Sequence, residues 1–208
     1  MYINRLTDTE QNRSHEANTV ATCSETDTAK LVERVAFGDH EAFGEIYSIY
    51  LDRIYRYILY QVGERMTAED LTQEVFLKAW RAIGSYKGQG REFSTWLYRI
   101  AHNHVIDSLR ARRPSLSLEA EEDEGLQIST DSGDPQQELE RSRARKEVLE
   151  LVSCLPVQQR QMIALRFSDG LDNGEIERIT GKSQGAIRVM QMRALATLQK
   201  RLVEEGRQ

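Results

Sequence analysis

Between Pro114 and Glu140 the chain carries nine carboxylates (Glu119, Glu121, Glu122, Asp123, Glu124, Asp131, Asp134, Glu138 and Glu140) and neither lysine nor arginine. Like charges at that density repel one another and keep the backbone extended. A hydrophobic core cannot run through such a stretch, so the 208 residues are expected to fold on either side of it. Residues 28–113 form a first zone, 114–134 an acidic flexible linker, and 135–208 a second zone. Residues 1–27 are polar and aperiodic and read as a disordered tail. The net charge of -5 hides a segregation, because without the acidic segment the rest of the chain is net positive. The run fits a solvated spacer, and it also fits an acidic strand that imitates nucleic acid inside a basic channel.

Both zones read as helical. Proline occurs only 3 times, helix formers are plentiful, and no long Val/Ile/Thr alternation offers a sheet. The expected fold is all-α, with two small helical domains. No segment approaches ~20 uninterrupted apolar residues, so no membrane insertion is expected. Met1 to Asp27 lacks the apolar stretch of a signal peptide, which places the chain in the cytoplasm. Cys23 and Cys154 are far apart and form no CxxC pair, so neither a disulfide nor a zinc site is expected. Each reads as a small buried hydrophobe.

In the first zone, a short helix over Ala29 to Phe37 precedes one capped by Asp39 that runs to about Gln61. Phe43, Ile46, Tyr47, Tyr50, Leu51, Ile54 and Ile58 recur along the longer helix at three- and four-residue spacing, the signature of a core-facing stripe. Thr67-Ala68-Glu69-Asp70 resembles a capping box opening a further helix, which Gly84 ends. On that helix Asp70, Gln73, Glu74 and Leu77 make an acidic-polar strip, which could equally be an ordinary solvated face. A loop over Ser85 to Glu92 leads to a helix from about Ser94 to Arg112. Leu97, Ile100, Ala101, His104 and Leu109 can face inward there. Arg99, Asn103, Asp107 and Arg110 fall on another stripe. From Tyr86 to Arg113 six basic residues (Lys87, Arg91, Arg99, Arg110, Arg112 and Arg113) face two acids, interleaved with Tyr86, Phe93, Trp96 and Tyr98. Cations neutralise phosphates and aromatic faces stack on unpaired bases, a combination suited to single-stranded nucleic acid. A core role is the more ordinary use of Phe93 and Trp96. His102 and His104, two positions apart on a helix, point in different directions and do not make a metal site.

In the second zone, Asp134-Pro135 opens a helix reaching about Cys154. Pro156 opens the next, Val157 to Phe167, which Asp169-Gly170 ends. Asp172-Asn173-Gly174-Glu175 is a capping-box pattern for a short helix to Thr180. Gly181-Lys182 turns, and Ser183 caps a last helix from Gln184 to about Glu204. Short helix, glycine turn and longer helix make the helix-turn-helix plan, although a plain helical hairpin shares it. Its second helix would present Ser183, Gln184, Arg188 and Gln191 to base edges, where Arg and Gln can bind a purine in bidentate fashion. Arg193 and Lys200 are better placed for phosphates or solvent.

Taken together these residues resemble the bacterial sigma factors of the extracytoplasmic-function (ECF) group, over roughly 29–113 and 140–204. Ala68 to Trp80 is similar to the family's region 2.2. The resemblance implies that Asp70, Gln73, Glu74, Phe76 and Leu77 dock on the β′ clamp helices of core RNA polymerase, with Phe76 in part core. Phe93 to Asn103, continuing to Asp107 and Arg110, resembles the segment that melts and reads the minus-ten element. Lys87, Arg91, Trp96 and Arg99 join Asn103, Asp107 and Arg110 in that surface. Leu155-Pro156, Gln159-Arg160 and the helix pair to Leu202 resemble region 4, which reads the minus-thirty-five element through Ser183, Gln184, Arg188, Gln191 and Arg193. Further partners implied are the polymerase β flap, promoter DNA and an anti-sigma factor, and the acidic linker would thread toward the polymerase RNA channel. The chain departs from the pattern at Glu177, where a small residue is usual, and at Met190 and Gln191, which replace the family's basic and leucine residues. A Glu at 177 should crowd the helix packing unless it tilts out.

The residues offer no Gly-rich phosphate loop, metal-ligand cluster or nucleophile-base set, so neither an enzyme nor a cofactor is expected. Two other readings fit the helix pattern. A free-standing helix-turn-helix regulator would bind a palindrome tightly without polymerase. A helical interaction protein would show no salt-dependent DNA binding.

Overall fold

The structure, a computed structural model, describes residues 25–88, 91–112, 143 and 146–205. The tail 1–24, Cys23 with it, and the acidic linker lie outside the described residues. All regular structure among those described is helical. The first module contains α1 (Glu25–Ala36), α2 (His40–Val62), α3 (Arg65–Ala82) and α4 (Arg91–Arg112), with a 3-10 turn at Ile83–Ser85 after α3. In the second, a helical stretch at 146–153 precedes α5 (Val157–Ile163), a π turn (Ala164–Ser168), α6 (Asn173–Thr180) and α7 (Gln184–Glu205).

Local chemistry sets most of these ends. The Asp39 carboxylate accepts the backbone N–H of Glu41 at 3.0 Å and of Ala42 at 3.2 Å, which fixes the start of α2. At the other end Gly63, at φ 75°, donates its N–H to the Leu59 carbonyl. Asp172 and Glu175 form the reciprocal capping box expected for α6, and Gly181 closes that helix at φ 70°. The capping box expected at Thr67 is absent. α3 begins earlier, at Arg65, and buried Thr67 donates its hydroxyl to the Glu64 carboxylate. An Arg65–Glu69 ion pair at 2.8 Å supports that first turn from outside. α4 likewise starts at Arg91 rather than Ser94. Cys154 is exposed rather than buried.

The first core takes four residues of the stripe read from sequence, while Phe43 and Leu51 are partly buried beside it and Tyr47 is exposed. Ile46, Tyr50, Ile54 and Ile58 of α2 are buried against Leu71, Val75, Phe76 and Ala79 of α3 and Phe93, Leu97, Ala101 and Val105 of α4. In the second module Met162, Leu165, Leu171, Ile176, Ile179 and Ile187 are buried. The two sets belong to one continuous apolar cluster. α4 packs on α6, and α2 packs on both α5 and the π turn.

Polar groups stitch the same junction. The Arg160 guanidinium donates to the carbonyls of Tyr60 and Gln61 at the end of α2, and to those of Ser153 and Leu155 in its own module. Arg53 of α2 donates to the Asp169 carbonyl at 3.3 Å, and its Nε lies 3.8 Å from the Asp169 carboxylate. The Asp169 side chain is wholly buried. Burial pushes its pKa up to about 6, and the Tyr98 hydroxyl and the charges of Arg53 and Arg56 pull it only part of the way back. Nearby, the Tyr57 hydroxyl lies 3.2 Å from His102 Nδ1. His102 is pushed down to about 4, by burial and then by the charge of Lys182 from the second module.

These two groups pull stability in opposite directions with pH. Asp169, raised above its ordinary 3.8, stabilises the fold most at low pH, and that contribution is lost as pH rises through about 6. His102, depressed from 6.5, contributes above 6.5, and that contribution is lost as pH falls toward 4. Each is worth roughly 3 kcal/mol at 1.36 kcal/mol per pKa unit. Urea unfolding across pH 4–7 should therefore show Asp169→Asn losing stability relative to the native chain as pH falls, because its His102 titrates without compensation. A pH-independent difference between the two chains would refute this balance.

Candidate nucleic-acid interface

Three exposed faces stand on this scaffold. On α3, burying Leu71, Val75 and Phe76 turns the other side of the helix outward, so Asp70, Gln73, Glu74 and Leu77 are all exposed. Phe76 differs from the others. It is 4% exposed and packs edge-on to Tyr47 at 4.7 Å between ring centres, so it belongs to the core and not to the surface strip. Met66, 58% exposed, extends the strip one turn toward the start of α3. Sequence reading missed it because the helix was taken to start at Thr67. Its four-residue spacing from Asp70 was the available signal.

Glu74 is tied to the neighbouring helix. Its carboxylate lies 2.7 Å from His104 Nε2, and Lys78 Nζ lies 2.6 Å from His104 Nδ1. The Glu74 contact is a close approach and not an aligned hydrogen bond. His104 therefore links α3 to α4 and is half-buried at the seam. His102 instead turns into the core, as the different directions of the two histidines require. No cluster of three or more His, Cys, Asp or Glu able to hold a metal occurs among the described residues.

The second face is the outer side of α4. Arg99, Asn103, Asp107 and Arg110 are exposed along one stripe, and Lys87 is exposed on the approach to the helix. Asp107 and Arg110 lie 3.7 Å apart, both largely exposed, a loose pair that solvent screens. The side chain of Arg91 lies outside the described residues. The interleaved aromatics do not all reach the surface. Phe93 and Tyr98 are fully buried. Trp96 is half-buried, with Tyr86 and Phe93 at 5.1 and 5.3 Å between ring centres, so one side of the indole is committed to packing.

The third face is the start of α7. Ser183, Gln184, Arg188 and Arg193 are exposed, and Gln191 is half-buried. Glu177 does tilt out. Its carboxylate accepts the Gln184 amide at 3.0 Å across the turn. The Gln191 amide donates to Asn173 at 3.1 Å. Met190 packs against the core, which accounts for an apolar residue at that position. The amides of Gln184 and Gln191 are thus each held from α6.

Both modules are similar to known proteins. Residues 46–114 match the family described as Sigma-70 region 2, and residues 145–198 match Sigma-70, region 4. The ECF RNA polymerase sigma factor BldN of Streptomyces coelicolor is 41% identical over 178 residues, spanning 86% of this chain and 67% of that protein. The ECF RNA polymerase sigma factor SigW of Bacillus subtilis is 35% identical over 83% of this chain and 95% of that protein. The solved structure of CnrH in complex with the cytosolic domain of CnrY shares the fold, with a TM-score of 0.62 at 22% identity, over 86% of this chain and 99% of that one. The chain belongs to the ECF sigma factors. It is built from that family's regions 2 and 4, and no helix among the described residues is long and apolar enough to cross a membrane.

The split between buried and exposed residues on α3 is directly measurable. Phe76→Ala should cost about 3–5 kcal/mol in urea unfolding, the usual range for a buried aromatic. Leu77→Ala and Gln73→Ala should each stay within about 0.5 kcal/mol of the native chain. Equal costs at 76 and 77 would contradict the placement of Phe76.

Proposed function

We propose that this chain docks on core RNA polymerase through Asp70, Gln73, Glu74 and Leu77, flanked by Met66, and directs promoter-specific initiation. The observation that carries the residue assignment is the separation of three outward faces on one scaffold. An acidic-polar strip on α3, a charged-polar stripe on α4 and the open start of α7 each point away from the apolar cluster. The first suits the β′ clamp helices, and the β flap would take the second module. Arg99, Asn103, Asp107 and Arg110, with Lys87, Arg91 and the free side of Trp96, suit the minus-ten element. There, capture of an unpaired base offsets an unstacking cost of a few kcal/mol. Ser183, Gln184, Arg188, Gln191 and Arg193 suit the minus-thirty-five element.

Two modest DNA sites on one chain gain affinity by effective concentration once polymerase fixes their separation. The linker at 114–134 is the tether in this reading and runs toward the RNA channel. The chain itself supplies no catalytic group and needs no cofactor, because the polymerase performs the chemistry. It works in the cytoplasm with that enzyme, and an anti-sigma factor is a natural further partner.

Run-off transcription from a pool of promoter fragments, using sigma-free core polymerase, tests this. Specific transcripts should appear only with the chain present. They should fall roughly tenfold or more with Asp70→Ala plus Glu74→Ala, equivalent to about 1.4 kcal/mol of docking energy. Arg188→Ala should lower transcription only from promoters that depend on the minus-thirty-five element, at about 1–3 kcal/mol for a lost bidentate contact. DNA binding that needs no polymerase, with no transcripts, would favour a free-standing helix-turn-helix regulator instead.

A further inference from the structure

A cavity of about 200 Å³ opens beside the end of α2. Its walls are Val148 and Val152 from the helical stretch at 146–153, Ile163 and Ala164 of α5 and its junction with the π turn, and Phe167 of the π turn. Tyr60 of α2 closes one side. At ~30 Å³ per water, the space equals roughly seven waters, room for an apolar body of about ten non-hydrogen atoms. The mouth is apolar as well. Phe167 is 61% exposed and Val148 41%. A large aromatic left in solvent at the rim of an apolar hollow marks a binding surface rather than a packing one. Phe167 also lies on a π turn, a distortion frequent at functional sites.

The polar end of the cavity is Arg160. One Nη donates to the carbonyls of Tyr60 and Gln61, and the other to those of Ser153 and Leu155. That leaves the Nε–H, which is buried and meets no acceptor. Among the described residues no carboxylate pairs with this guanidinium, and burial pulls its pKa down. A half-buried cation served only by carbonyl dipoles lacks the counter-charge that buried ions normally have. An apolar hollow ending in an unpaired cation is complementary to an amphiphile with an anionic head.

We propose that this cavity binds a small carboxylate amphiphile, with its apolar body between Val152, Ile163 and Ala164 and its carboxylate toward Arg160. The head supplies the counter-charge, and the body fills the hollow behind Phe167. Cationic amphiphiles are repelled there, and neutral ones leave Arg160 unpaired. The site shares no residue with the three outward faces, and it does not rest on the promoter reading.

Methyl and aromatic NMR of the full-length chain, titrated with sodium octanoate, tests the site. Shifts should centre on Val148, Val152, Ile163, Ala164 and Phe167, with a Kd of roughly 0.1–1 mM for so few atoms. A parallel titration with 3-phenylpropanoate tells an aryl body from an alkyl one. Octanol and octylammonium carry the same alkyl chain without the anion and should bind at least roughly tenfold more weakly. Val152→Phe fills the hollow and should abolish the shifts. If that variant fails to fold, Val148→Trp at the exposed rim blocks the mouth with the same expectation. Arg160→Gln should bring octanoate down to the level of octanol. If it loses helicity, the ligand series alone reads the charge. Equal shifts at Val189, Met192 and Leu195, exposed on α7, would mean detergent-like adsorption and overturn the site. Octanol or octylammonium binding as tightly as octanoate, or binding of neither acid, would overturn it too.

Discussion

The apolar stripe of α2 is the interaction on which the rest of the molecule depends. Ile46, Ile54, Tyr57 and Ile58 are wholly buried along it. α1, α3 and α4 pack around that helix, and the second module reaches it through α5 and the π turn. Because three neighbours share one spine, the outward side of each is fixed by what it buries inward. Asp70, Gln73 and Glu74 are presented by the burial of Leu71, Val75 and Phe76. Arg99, Asn103 and Asp107 are presented in the same way by Leu97, Ala101 and Val105. The exposed faces are by-products of core packing, which gives them rigidity that a loop would lack.

Much of this was legible in the sequence because helical periodicity is a local signal. The spacing from Phe43 to Ile58 specified α2, and the Asp39 and Asp172 caps specified where helices start. What failed was also physical. Thr67-Ala68-Glu69-Asp70 has the composition of a capping box, yet an Arg65–Glu69 pair and a buried threonine accompany a start of α3 three residues earlier, with Glu64 at the cap. A core role was the more ordinary expectation for Phe93, whereas Tyr98 sits beside Arg99 in the sequence and only the fold shows that its ring turns inward.

The junction between the modules was not legible at all. Asp169 reads as a helix-ending residue before a glycine, and nothing in its neighbourhood announces Arg53, 116 residues away. Ile176 and Ile179 look like the inner face of a small helix pair, and the sequence does not say that α4 lies on the other side. Long-range packing of this kind leaves no periodic trace. The acidic segment from Pro114 to Glu140 argued correctly for two modules but carried no information on whether they touch.

Glu177 has a consequence for how this family member can diverge. The residue sits on α6, behind the helix assigned to the DNA, and its carboxylate fixes the rotamer of Gln184, as Asn173 does for Gln191. An amide held in advance loses little conformational freedom when it meets a base, but it must exchange one acceptor for another. On the assignment proposed here, the preferred base is one whose edge outcompetes a carboxylate or a neighbouring amide. A substitution at 177 or 173 would then retune promoter preference while leaving every base-facing side chain unchanged. Regulatory drift in such a protein can proceed through the helix that stays off the DNA.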